Sequence, residues 1–123
     1  MLLNLVSNAI KFTPFSGEVN ITTRIITDCQ QLSESDPLFD QIFKKSSGKK
    51  YLEVSVQDTG VGIKESDLPK LFKLFGFLEA SKKINSKGIG LGLMISKKIT
   101  KIFDGDIICR SEFGKGSTFT FIV

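Results

Sequence analysis

The 123-residue sequence contains no histidine and no tryptophan, and it has only two cysteines, two methionines, three prolines and one tyrosine. Each shortage removes a class of chemistry. Without histidine there is no imidazole to act as general base, nucleophile, metal ligand or phosphoacceptor within the chain. Cys29 and Cys109 stand apart with no CxxC pair, so a zinc site lacks ligands and a disulfide framework has no support; reduced thiols of a cytoplasmic domain are the expectation. No apolar run approaches the ~20 residues of a membrane span. The amino end "MLLNLVSNAIKF" lacks the charged start and small-residue cleavage site of a signal peptide. A P-loop is excluded because GxxxxGK[ST] does not occur.

What is present fits one globular domain: 41% apolar and 24% charged residues, with 17 Lys and Arg against 13 Asp and Glu for a formal net charge of +4. That mild basic excess suits an anionic small molecule such as a phosphate-bearing ligand in preference to nucleic acid.

Apolar spacing at Leu2, Leu5, Val6 and Ala9 predicts a short helix over 2–13, ended by Pro14 and Gly17. Asn4, Asn8 and Lys11 share one narrow polar face of it, since at 100° per residue they fall within roughly 60° of one another. The helix starts at Met1 with no capping residue or lead-in, which leads us to expect an N-terminal truncation. "EVNITTRIIT" (18–27) alternates as a half-buried strand does, and "YLEVSVQD" (51–58) alternates likewise and delivers Asp58 at its carboxyl end. Between them, residues 28–50 are rich in Ser, Asp, Gln and Lys and read as a mobile surface insertion with a short helical stretch in "DPLFDQIFKK". Ser66 to Pro69 opens a further helix whose stripe is Leu68, Leu71, Phe72 and Phe75. A third helix follows the glycine run, with Leu91, Met94, Ile95, Ile99, Ile102 and Phe103 inward and Gly105 as its stop. "DIICRS" and "STFTFIV" then form a hairpin through "EFGKG". This order predicts an α+β two-layer sandwich: a mixed, mostly antiparallel sheet with helices on one face.

Four stretches can carry chemistry, and each has a plain structural reading when taken alone. "DTGVGI" (58–63) is an Asp-x-Gly turn at a strand end. "GIGLGL" (88–93) lacks the dinucleotide fingerprint, which needs GxGxxG directly after a strand, and alone it is a flexible helix lead-in. "FGKGSTF" is a hairpin turn, and the Asn4/Asn8/Lys11 face is a solvated helix surface.

In this order and spacing, "LLNLVSNAIKFTP", "DTGVGI", "LFKLFGF", "KGIGLGLMISKKI" and "GKGSTFTF" resemble the N, G1, F, G2 and final glycine boxes of the ATP-binding catalytic domain of histidine kinases. That domain is a branch of the Bergerat-fold ATPases, which include gyrase, Hsp90-type chaperones and MutL-type repair proteins. The resemblance spans nearly the whole chain, 1–123, apart from 28–50. It implies binding of Mg-ATP between a short lid and the sheet, and transfer of the γ-phosphoryl to a histidine on a neighbouring dimerisation hairpin, with a response-regulator receiver domain as the downstream partner and a cytosolic location.

Residue by residue, the resemblance makes Asn8 the Mg2+ ligand. This suits a hard cation, because a neutral amide oxygen adds no further negative charge beside a triphosphate. Lys11 and Asn4, one turn away on either side, support the same site, and Phe12 packs near the base. Asp58 accepts from the exocyclic amine of adenine and disfavours guanine. Gly60 and Gly62 let the backbone approach the base, Ile63 completes that box, and Ser117 holds the adenine edge. Gly88, Gly90 and Gly92 form the hinge and phosphate-facing edge of the lid, with Lys87, Leu91 and Leu93 alongside, while Lys82 and Lys83 add charge.

The hydrolytic relatives place a glutamate four residues before the N-box asparagine, and here that position is Asn4. A kinase-type domain is therefore expected over a chaperone- or gyrase-type ATPase. The alternative from another class is a non-catalytic nucleotide-binding or scaffold module. With no histidine present, the chain cannot phosphorylate itself on histidine.

Overall fold

A computed structural model of the chain describes residues 1–27, 39, 49–73 and 91–123. Two α-helices, α1 (Leu2–Phe12) and α2 (Gly92–Ile102), a 3-10 helix (Glu65–Lys70) and four strands, β1 (Val19–Ile26), β2 (Tyr51–Asp58), β3 (Asp106–Glu112) and β4 (Gly116–Ile122), make up the described elements. The strands form one sheet in the order β1-β2-β4-β3 with every pair antiparallel. The expected α+β arrangement is what the chain adopts.

Register divides the sheet's faces. On the helix-covered face, Thr23, Val54, Phe121 and Ile107 form one cross-strand row, and Ile21, Val56, Phe119 and Cys109 the next. Leu5 and Ala9 of α1 and Leu71 pack onto these rows as the main core, with Phe72, Leu68 and Leu93 at its margin. Hydrophobic burial and close packing here supply the main stabilisation, since apolar surface leaves water on both layers at once.

Three expected features are corrected. First, among the described residues β1 is an edge strand paired to β2 alone, so its alternation does not produce burial: Ile25 is 67% exposed and Ile21 50%. Leu2 of α1 is likewise exposed. Second, the segment from Glu65 to Lys70 is a 3-10 helix. Pro69 lies inside it and has no N–H to give to the carbonyl four residues back, which is the bond an α-helix needs there. Phe75 lies outside the described residues.

Third, α2 is turned relative to its most hydrophobic stripe. Ile95, Ile102 and Phe103 are exposed, whereas Ser96 and Thr100 are buried. Gly92, Ser96 and Thr100 recur every four residues and make a ridge of small side chains, which lets α2 approach its neighbours closely. Thr100 closes its hydroxyl locally on the Lys97 carbonyl at 2.8 Å. The helix does not end on Gly105 adopting a left-handed turn; Asp104 takes that conformation, with φ 58. Gly105 is glycine because a Cβ there would collide with the Ile122 carbonyl.

A second, smaller cluster lies on the opposite face of the sheet, where Ile26, Tyr51 and Ile122 pack with Phe39, flanked by Ile108. The expected insertion falls almost wholly outside the described residues. Of its residues Phe39, Lys49 and Lys50 are described, and Phe39 is only 1% exposed. Beside this cluster Arg24 makes a bidentate ion pair with Glu53, at 2.7 and 3.0 Å. Truncating a buried phenylalanine removes its transfer energy and leaves a cavity, so Phe39→Ala should destabilise the protein by about 3–5 kcal/mol. Phe15→Ala, at a fully exposed position, should leave stability within about 0.5 kcal/mol. Urea unfolding followed by circular dichroism checks the pair, and equal midpoints for the two variants would contradict the buried role of Phe39.

Candidate functional site

One end of the sheet gathers most of the predicted residues that the structure describes. Register puts Val19, Asp58, Ser117 and Ser111 in a row on the helix-covered face, one step beyond the apolar row that ends in Cys109. Asp58 closes β2 and is buried; its Oδ1 accepts the Gly60 N–H at 2.8 Å. Burial raises its carboxyl above the ordinary value, and the backbone N–H groups of Gly60 and Ser117 offset part of that rise.

The turn from Asp58 to Ile63 is wedged between the end of α1 and the β3–β4 hairpin. Val61 gives its N–H to the Phe12 carbonyl at 3.2 Å, and its own carbonyl accepts the Gly114 N–H at 2.8 Å. The glycines serve this wedge. A Cβ on Gly60 would strike the Phe12 carbonyl, one on Gly62 the Glu112 carbonyl, and one on Gly116 the Asp58 carbonyl. Gly62 and Gly116 also have φ of 64 and 128, where a side chain is strained. The structural need for Gly60 and Gly62 is thus contact with α1 and the hairpin, and this accounts for them before any ligand is considered.

On α1, the polar face divides. Asn4 gives its amide N–H to Ser96 Oγ at 3.2 Å and lies where a Cβ on Gly92 would collide, so it joins the two helices. Asn8 is half-buried one turn on. Lys11 stands over the Phe12 ring, 5.4 Å from its centroid. Ile63 and Leu93 pack at the margin of the main core, and Leu91 sits at the start of α2. Lys82, Lys83, Lys87, Gly88 and Gly90 lie outside the described residues. Reasoning from sequence did not single out Ser111, which accepts the Ile63 N–H at 2.8 Å and lies 3.0 Å from Ser117 Oγ. Its signal was alternation: it shares a face with Cys109 and Ile107 on β3.

Comparison with known proteins agrees with this geometry. A family model described as histidine kinase-, DNA gyrase B- and HSP90-like ATPase matches residues 1–123. The chain belongs to this ATPase family. Among curated relatives it is 37% identical over 123 residues to hybrid signal transduction histidine kinase B of Dictyostelium discoideum, covering 100% of this chain and 5% of that protein. It is also 37% identical over 121 residues to the non-motile and phage-resistance protein of Caulobacter vibrioides, covering 98% of this chain and 12% of that one. The chain therefore spans a small part of the length of either relative. Full-length ShkA in complex with AMPPNP superposes with a TM-score of 0.66 at 26% identity, over 99% of this chain and 20% of that one. The catalytic domain of histidine kinase ThkA superposes with a TM-score of 0.65 at 28% identity, over 99% of this chain and 62% of that one. Within the ATPase family the likeness is to the ATP-binding catalytic domain of histidine kinases.

The raised Asp58 carboxyl makes a prediction for this ATPase-family domain. Between the ordinary aspartate value of about 4 and the raised one, the folded state holds a proton that the unfolded chain has released. The stability this proton confers is present below the ordinary value and lost as pH rises through the raised one. Asp58→Asn should abolish this loss, so the variant should gain stability relative to the parent from about pH 3 to pH 7. Urea unfolding across that range measures the difference; a pH-independent gap between the two proteins would refute it.

Proposed function

We propose that this domain binds Mg-ATP at the Asp58 end of the sheet and passes the γ-phosphoryl to a histidine outside these 123 residues. The observation that carries the reading is Asp58, a buried carboxylate at a strand end with one oxygen engaged by Gly60 and with Ser117 beside it. A carboxylate so placed selects a ligand edge that presents N–H donors, as the amine of adenine does.

Asn8 fits the Mg2+ requirement. It offers a neutral amide oxygen from α1, and among the described residues no group of three or more Asp, Glu, Cys or His could compete for the ion. Mg2+, when bound, supplies charge neutralisation along the triphosphate. Lys11, at the exposed end of α1, adds a cation within reach of the same region. Asn4 is tied to Ser96 and carries no carboxylate, so the position that would hold a water-activating base is occupied by an amide bound to α2. This favours transfer to a protein acceptor over hydrolysis. The acceptor is a histidine on a helical dimerisation hairpin, of the same polypeptide or its dimer mate, and a receiver domain takes the phosphoryl onward. The domain works in the cytosol and binds no nucleic acid. Among its described residues no helix is long and apolar enough to cross a membrane.

Mg-dependent binding of a non-hydrolysable ATP analogue tests the site. Asp58→Asn and Asn8→Ala should each weaken it at least tenfold, about 1.4 kcal/mol or more, and phosphate should appear on a separately supplied histidine hairpin. A folded parent that binds no analogue would point to the scaffold reading. Rapid hydrolysis by the unaltered protein would point to the hydrolytic one.

A further inference from the structure

Ser111 has a hydrogen-bond arrangement that fixes the proton of its neighbour. Its hydroxyl donates to the Gly116 carbonyl at 2.8 Å, accepts the Ile63 N–H at 2.8 Å, and lies 3.0 Å from Ser117 Oγ. A hydroxyl has one proton and two lone pairs. The Ser111 proton is committed to Gly116 and one lone pair to Ile63, so the contact with Ser117 is made only if Ser117 donates into the remaining lone pair. Ser117 is then left with lone pairs alone to offer a ligand. Register sets it directly between Ser111 and Asp58, itself an acceptor when ionised.

We propose that Ser111 is a positioning residue for base specificity. By drawing the Ser117 proton away, it turns Asp58 and Ser117 into adjoining acceptors, which favour the amine of adenine and repel the carbonyl oxygen that guanine carries at the same place. Ser111 acts through Ser117 and need not touch the base. The inference rests on the ATP reading of the site.

Removing the hydroxyl has two separable effects. Loss of the acceptor for Ile63 loosens the turn and weakens all purine nucleotides alike. Release of the Ser117 hydroxyl lets it rotate and donate, which helps guanine and leaves adenine without its second acceptor. The ratio of affinities therefore reports the proposed role, while a merely structural role leaves it unchanged.

The experiment measures binding of AMPPNP and GMPPNP to the purified protein and to Ser111→Ala, Ser111→Thr, Ser117→Ala and the Ser111→Ala/Ser117→Ala double variant. Ser111→Ala should lower the adenine-to-guanine preference at least tenfold, and Ser111→Thr, which keeps a hydroxyl, should retain it. The double variant should match Ser117→Ala in this ratio, because Ser111 has nothing left to orient. Should the alanine variant fail to fold, Ser111→Cys, whose thiol is a weak acceptor, carries the same expectation. An unchanged ratio in folded Ser111→Ala or Ser111→Cys that still binds AMPPNP overturns the proposal and leaves the ATP reading intact. Failure of the parent itself to bind AMPPNP overturns both, and is seen before any variant is made.

Discussion

The site end of the molecule depends on backbone meeting backbone at distances that only glycine permits. Gly60 lies against the Phe12 carbonyl, Gly62 against that of Glu112, and Gly116 against that of Asp58. These contacts bring the end of α1, the strand-to-loop turn after β2 and the β3–β4 hairpin to one place. Val61 completes the join with hydrogen bonds to Phe12 and Gly114. A turn held on both sides has little freedom, and this fixes where Asp58 sits and which of its oxygens is engaged. Rigidity at the point of recognition saves a ligand the cost of ordering the site.

The second constraint is polar and joins the helices. Asn4, Ser96 and the bare α-carbon of Gly92 form a contact between α1 and α2 in which a hydrogen bond replaces apolar packing. Such a contact tolerates few alternatives, since a buried amide without a partner is costly. It also explains why α2 exposes Ile95 and Ile102 while burying Ser96 and Thr100. The position and facing of α1, which carries Asn8 and Lys11, follow from the same contact.

Much of this was legible in the sequence, for identifiable reasons. Strands β2 and β4 sit in the middle of the sheet, so Val54, Val56, Phe119 and Phe121 are buried as their alternation suggests, although Leu52 at the far end of β2 is exposed, and Asp58 at the end of β2 stood out as a carboxylate delivered to an edge of the core. The N-box helix was legible from Leu5 and Ala9. The facing of α2 was not, because hydrophobic periodicity weighs Ile102 above Thr100 and has no means of scoring a hydrogen bond from Asn4, ninety-two positions away from Ser96. β1 was misread on burial because alternation does not distinguish an edge strand from a central one. Gly60 and Gly62 were read from sequence as allowing ligand approach, and the structure adds a nearer constraint on them, the neighbouring backbone. The small cluster around Phe39 was hidden because its members lie on the face that a two-layer sandwich leaves to solvent.

Cys109 shows how sharply the sheet face changes character over one row. It lies one step inside the Asp58–Ser117–Ser111 row, and its thiol is pushed up to about 12, mainly by burial and additionally by the nearby Asp58 charge. A thiol held protonated at neutral pH is neither a nucleophile nor a good metal ligand. The Asp58 carboxylate of the outer row thus helps silence the thiol in the row beneath it. The described part of the site is left with amides, hydroxyls, a carboxylate and Lys11: groups suited to holding and orienting a nucleotide. Among the described residues, a floor of that composition offers a nucleotide contacts to hold it without a thiolate to react with it.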